Sequence, residues 1–259
     1  VKDLLEGLTI EGMIQTGVDR SRVPDVFAPI LEDVRREFDL ARVPSAELHL
    51  YGSVATGQAR FGESDVDLMA IDGSAAWAAK ASSRLSLRYA DVCRGVEIGT
   101  VPADVFSGPG DEAYGFRVFL RHYCVPISGP SRLRPTTPFP GDAKAARGFN
   151  GDIATHLASW RQSRPSARVI ARKSLLAAAG VVSVRTRTWT TDRGTAAHAW
   201  ARIDPARHGE IEELLAWATG GGAATPDQLT AALSPNGIVT AIVDRFASEI
   251  GLWDAPDGG

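Results

Sequence analysis

Cysteine is scarce. The 259 residues hold two, Cys93 and Cys124, too few for a disulfide framework and without metal-ligand spacing, so both are expected as core or near-core thiols. The five histidines, His49, His122, His156, His198 and His208, fall at no spacing that a zinc site uses. No apolar run approaches the length that spans a bilayer. The start, Val1-Lys2-Asp3-Leu4-Leu5-Glu6, lacks the basic-then-apolar order of a secretory leader. A cytoplasmic protein without membrane contact is the expectation. A large excess of positive or negative residues is missing too: the net value of −3 argues against a bulk electrostatic nucleic-acid binder, although a local basic groove would survive that average. No internal repeat is present. What remains, 44% hydrophobic and 23% charged, is the texture of a soluble globular chain long enough for two modest domains.

The most informative stretch is Tyr51-Gly52-Ser53-Val54-Ala55-Thr56-Gly57, followed by Ser64-Asp65-Val66-Asp67-Leu68. Leu48, Leu50 and Tyr51 precede the Gly-Ser turn, and Leu68 to Ile71 follow the acids. The pattern reads as strand, tight turn, short helix, strand. Asp65 and Asp67 are two apart on a strand, so both side chains lie on one face. Two carboxylates at one spot repel unless a cation holds them, and hard oxygen ligands suit Mg²⁺, which shares its shell with substrate phosphates. The Gly-Ser turn opens a helix whose backbone N–H groups face a phosphate. Gly52 permits close backbone approach, Ser53 offers a hydroxyl and an amide to the terminal phosphates, and Ser64 either contacts phosphate or starts the strand. A plain surface loop with two solvated aspartates is the competing reading, but Asp is disfavoured in strands, so a pair on one face needs a reason.

Periodicity orders the rest. Helical spacing covers Val23–Leu40, Ala75–Tyr89 and Glu112–His122; strands are expected at Glu47–Tyr51, Asp67–Ile71, Val96–Val101 and Tyr123–Ile127. Ser131 to Asp142 carries Pro135, Pro138 and Pro140 with little periodicity and reads as a linker or extended crossover. Beyond it helices are expected over Ala143–Trp160, Ala167–Ala179, Gly194–Ala201, Gly209–Ala218 and Asn236–Ile250, with Val181–Val184 either helix or a brief extended piece. The expected architecture is an α/β domain built on a small mixed sheet, residues 1–138, followed by an all-α helical-bundle domain, residues 139–259.

The Gly-Ser turn, the gap and the Asp-Val-Asp resemble the signature of the nucleotidyltransferase superfamily that includes DNA polymerase β, from Leu50 to Leu68. A third acid is then needed, to take a proton from an attacking hydroxyl or to hold a second metal. The third strand, Gly95 to Val101, carries one acid between apolar residues, Glu97. Its plainer reading is an edge-strand Glu facing water, and Asp91 and Asp104, at the strand's flanks, are the alternative acids. With Glu97 and the Pro102-Ala103-Asp104 tail, the chain is similar to the aminoglycoside nucleotidyltransferases that adenylylate streptomycin and spectinomycin. That resemblance implies Asp65 and Asp67 as Mg²⁺ ligands, Glu97 as base toward the drug hydroxyl and helper at the metal, and a helical C-terminal domain.

A triphosphate also needs cations to stabilise departing pyrophosphate. Arg172-Lys173 sits inside the otherwise apolar Val169–Ala179, and Arg193 precedes Gly194, where Thr191 or Asp192 caps a helix. The subfamily carries Lys or Arg at roughly these two places, which implicates Lys173 and Arg193, against the plainer reading of solvated charge. For the acceptor, Asp152, Trp160, Trp189 and Trp200 are available acids and aromatic walls. The function expected is Mg²⁺-dependent transfer of a nucleoside monophosphate, AMP from ATP, to a hydroxyl of a small-molecule acceptor such as an aminoglycoside. The alternatives are a nucleotidyltransferase modifying a protein or tRNA in a toxin–antitoxin pair, and a non-catalytic nucleotide-binding module.

Overall fold

The structure is a computed structural model that describes residues 2–163 and 165–253. Two short strands, β1 (Gly7–Leu8) and β2 (Ile14–Gln15), pair near the start; sequence periodicity does not reveal elements this short. Then follow α1 (Ala28–Ala41), β3 (Glu47–Tyr51), α2 (Gly52–Ala55), β4 (Asp65–Ile71), α3 (Ala75–Arg88), β5 (Gly95–Val101), α4 (Asp111–His122) and β6 (Val125–Ser128). The described elements after β6 are helices: α5 (Ala143–Asn150), α6 (Ile153–Ser163), α7 (Ala167–Thr186), α8 (Arg193–Ile203), α9 (His208–Thr219), α10 (Pro226–Leu233) and α11 (Ile238–Glu249), with single 3₁₀ turns between some elements. The chain divides into two compact units, the first Val1–Glu6, Gln15–Gly108 and Phe116–Phe139, the second Gly7–Ile14, Pro109–Gly115 and Pro140–Gly259.

The first unit is built on a mixed four-stranded sheet in the order β5-β4-β3-β6. β3 runs antiparallel to β4 and β6, while β4 and β5 run parallel, joined by the α3 crossover. Alternation divides the sheet into two faces. Leu48, Leu50, Val66, Leu68, Ala70 and Val96 form a fully apolar face under α1 and α3, whose Ile30, Val34, Phe38 and Leu85 are buried against it. Met69 and Ile71 occupy the opposite face, packed with Phe106, Leu120 and Cys124 and rimmed by Tyr51, Phe116 and Phe119. Cys93 and Cys124 are both buried free thiols, and burial pushes the Cys124 thiol well above its usual range.

β5 is an edge strand, and α3 covers the edge. The Ser86 and Ser82 hydroxyls accept the outward N–H groups of Val96 (2.8 Å) and Ile98 (3.1 Å), which satisfies donors that an open edge would leave for another chain. α1 begins at Ala28 rather than at Val23: residues 25–27 form a 3₁₀ turn, and Pro29 takes a first-turn position where its missing N–H costs nothing.

The second unit centres on α7, a 20-residue helix that extends through Val181–Val184 and ends at Arg187 in the left-handed conformation. Its buried face, which includes Ile170, Leu175, Ala178, Gly180 and Val182, packs among α5, α8, α9 and α11. One continuous helix over Ala143–Trp160 does not form. α5 ends at Asn150 because Gly151 turns under Trp253: the Arg147 carbonyl accepts both the Gly151 N–H (2.7 Å) and Trp253 Nε1–H (2.7 Å). α10 is a further helix that periodicity missed. Thr225 and Gln228 close its N-terminus as a capping box, and Pro226 sits at its first position.

Candidate active site

The Gly-Ser turn and the carboxylates meet at the ends of β3, β4 and β5, all in the first unit. β3 delivers Tyr51 opposite Asp67. Gly52 follows at φ +75°, in the left-handed region, and a Cβ there would run into the Asp67 carboxylate. Glycine is therefore required twice over, by its dihedral and by the acid it abuts. Ser53 lies in the single helical turn α2, where its carbonyl accepts from Gln58 N–H (2.9 Å) and Thr56 Oγ1–H (3.1 Å), leaving its side chain half-buried at the turn. Ser64 is buried and its hydroxyl accepts the Arg60 N–H (2.8 Å), which closes the loop that leads into β4.

β4 begins at Asp65, so both aspartates lie within it. The parallel register sets Asp67 beside Glu97 and Asp65 beside Gly95, which puts three acids on one face of two adjacent strands. Glu97 is exposed on the edge strand, whereas Asp65 and Asp67 are half-buried. The negative field is visible at Tyr51: burial first, then the charges of Asp67, Cys124 and Glu97, push its phenol up to about 12.

A resident cation answers that field. Arg94, the residue before β5, grips Asp65 with both prongs of its guanidinium: Nε donates to Oδ1 at 3.0 Å and Nη2 to Oδ2. Its charged form is favoured by the hydrogen bonds to Asp65, then by the charges of Asp65, Glu97 and Asp67. Sequence reasoning passed over Arg94. Its grip follows from the register of the sheet, in which Gly95, the first residue of β5, pairs with Asp65. Among the described residues no three His, Cys, Asp or Glu side chains converge as a metal-ligand cluster.

The donor chemistry nevertheless fits a hard divalent cation. Asp65, Asp67 and Glu97 offer oxygen alone, Gly52 leaves space against Asp67 that any Cβ would fill, and a guanidinium already occupies one carboxylate as a positive partner.

Deeper on the same face, His49 and Glu47 form a fully buried pair, Nε2 to Oε2 at 3.0 Å, and Glu47 Oε1 accepts the Arg132 N–H at 2.6 Å. Burial holds the His49 imidazolium form down. This pair ties the segment after β6 to β3 and stands apart from the acids by chain position.

The basic candidates lie in the second unit. Lys173 is on α7 and pairs with Asp152 at 2.7 Å, so its charge has a partner within the unit. Asp152 also meets His156 (3.0 Å), whose ring stacks on Trp160. Arg193 opens α8, donates from Nε to the Arg172 carbonyl at 3.2 Å, and is lowered to about 10 by burial, then by the neighbouring charge of Arg172 and, more weakly, of Arg168. It stays charged at neutral pH. Asp192 caps α8 by accepting the Thr195 N–H. Trp189 and Trp200 are core residues.

No protein-family model and no curated protein sequence matches this chain. A solved structure does: spectinomycin adenyltransferase AAD(9) from Enterococcus faecialis, determined with ATP and spectinomycin, aligns over 86% of this chain and 98% of its own, at 12% identity and a TM-score of 0.52. No helix among the described residues is long and apolar enough to cross a membrane. The chain thus shares the fold of that adenyltransferase at 12% sequence identity.

Proposed function

We propose that this protein is a nucleotidyltransferase that moves AMP from ATP, with Mg²⁺, onto a hydroxyl of a small-molecule acceptor of the aminoglycoside class. The single observation that carries the reading is the register of β4 and β5, which sets Glu97 beside Asp67 two residues from Asp65, with Gly52 packed against the Asp67 carboxylate. The ATP and spectinomycin bound by the AAD(9) enzyme support the co-substrate and the acceptor class. The mild net negative charge fits a cationic small molecule better than a nucleic acid.

In this reading Asp65 and Asp67, with Glu97 at the rim, hold Mg²⁺. The ion, when bound, neutralises phosphoryl oxygens and orients the triphosphate for in-line displacement. The Gly52-Ser53 turn receives the terminal phosphates through backbone N–H groups and the Ser53 hydroxyl. Glu97 accepts the proton of the acceptor hydroxyl, whose oxygen bonds to the α-phosphorus as the bond to pyrophosphate breaks. Exposure of Glu97 suits a base that must meet an incoming acceptor. The second unit, with Arg168 and Arg172 near the half-buried guanidinium of Arg193, suits a polyanionic co-substrate. We assign Lys173 and Arg193 to that role, while the loop-closing bond of Ser64 favours its reading as the start of the strand. The helices from α5 onward are assigned to a C-terminal domain, residues 139–259, following a catalytic domain, residues 1–138.

The test is pyrophosphate release with Mg²⁺, each of the four ribonucleoside triphosphates, and a panel that includes streptomycin and spectinomycin. Release that requires ATP and one drug, and disappears in Asp67→Asn, supports the reading. Mg²⁺-dependent nucleotide binding without release on any drug sinks the acceptor class and points to a macromolecular acceptor.

A further inference from the structure

We propose that Arg94 is a displaceable counterion for Asp65, placed so that a divalent cation reaches that carboxylate only by driving the guanidinium away. The inference rests on the reading above, in which Asp65 is a metal ligand. The geometry is specific. Both Asp65 oxygens accept from the Arg94 fork, so neither faces a cation without a positive neighbour. The two ends differ sharply in exposure: the Asp65 side chain is 14% exposed and the Arg94 side chain 63%. The acid is therefore held in place by the sheet, while the cation rests on it from the solvent side. The Arg94 backbone is anchored, its N–H donating to the Ser64 carbonyl at 3.0 Å. Release of the fork thus needs only side-chain rotation, and a guanidinium returned to water from an exposed ion pair loses little.

The arrangement also solves a problem of folding. Asp65, Asp67 and Glu97 share one face of adjacent strands, and like charges so placed oppose each other. The fork cancels one of the three. A divalent ion cancels more and bridges more, which lets it win the exchange, but only after working against a positive charge that sits on its ligand. Arg94 thereby lowers the site's affinity for bare metal.

The experiment titrates the metal-free chain with Mn²⁺ at low salt and without nucleotide, reading free Mn²⁺ by electron paramagnetic resonance. Thermal melting is run in parallel with and without the ion. Arg94→Gln is expected to bind Mn²⁺ roughly tenfold more tightly than the unaltered chain, as removal of a like charge within a few ångströms dictates. Its metal-free form is expected to melt lower and to gain more from Mn²⁺. Arg94→Lys, which retains the charge, is expected to stay near the unaltered affinity. Arg94→Gln with unchanged or weaker Mn²⁺ binding, while Asp67→Asn abolishes it, overturns the counterion and leaves the metal site standing. Absence of Mn²⁺ binding by both the unaltered chain and Arg94→Gln overturns both.

Discussion

At the scale of single residues, the site depends on what Gly52 lacks. A Cβ at this position meets the Asp67 carboxylate, and the φ of +75° is strained for any L side chain. Gly52→Ala is expected to cost about 1–3 kcal/mol of stability and to displace Asp67, so that turnover falls more than stability alone explains. Chemical denaturation and turnover measured on one preparation check this. Asp67→Asn and Asp65→Asn remove charge at constant volume, and each is expected to abolish Mg²⁺-dependent turnover while the fold melts near its usual temperature. Near-normal turnover in either would remove the metal assignment. Glu97→Gln separates base from ligand. Turnover is expected to fall at least about a hundredfold, with nucleotide affinity changed by no more than about threefold. Lost affinity with intact turnover would make Glu97 a ligand only.

At the scale of elements, the parallel pairing of β4 with β5 creates the site, and α3 keeps that pairing single by covering the outer edge of β5. Ser86→Ala leaves the Val96 N–H without its acceptor and is expected to cost about 1 kcal/mol, with faster hydrogen exchange at Val96. Unchanged protection there would contradict the role given to α3. In the second unit α5 meets the start of α4 at two glycines: a Cβ on Gly148 would lie 2.7 Å from Gly115 Cα, so Gly148→Ala must separate the helices and is expected to destabilise by about 1–3 kcal/mol. How well these elements read from sequence follows the strength of their local signals. Glu47–Tyr51 coincides with β3, and Ala75–Tyr89 differs from α3 by one residue, because alternation and apolar spacing there are clean and Ser74 caps the helix. The Gly-Ser turn and the aspartate pair are legible for the same reason: both are local. The break at Gly151 is not, since it is set by Trp253, a hundred residues on. Arg94 was not legible either, because its grip on Asp65 depends on strand register, and register is a property of the folded sheet.

At the scale of the whole molecule, pH enters through His122. It is buried, and its Nε2 accepts the Phe139 N–H at 2.9 Å, a bond that protonation would break. Burial, then the charges of Arg121 and Arg134, lower it from 6.5 to about 4. Between those values the unfolded chain takes up a proton that the folded chain refuses. The contribution of His122 is thus complete above pH 6.5 and is lost progressively as pH falls toward 4, by on the order of 3 kcal/mol at most. Urea unfolding at neutral and acid pH is expected to show a steeper acid loss than in His122→Gln, which keeps an acceptor for Phe139 but cannot titrate; parallel losses would contradict the assignment. The likeness to an adenyltransferase at 12% identity shows how little sequence the fold itself requires. What the turn and the acids ask of the chain is narrower, and their chemistry makes a claim about one bond. ATP carrying its radiolabel in either the α- or the γ-phosphate, incubated with Mg²⁺ and the drug panel, asks which phosphorus the acceptor receives. The account predicts acceptor labelled from the α-position only, with the γ-label leaving in pyrophosphate. Label passing to the acceptor from the γ-position would mean phosphoryl transfer and would contradict it.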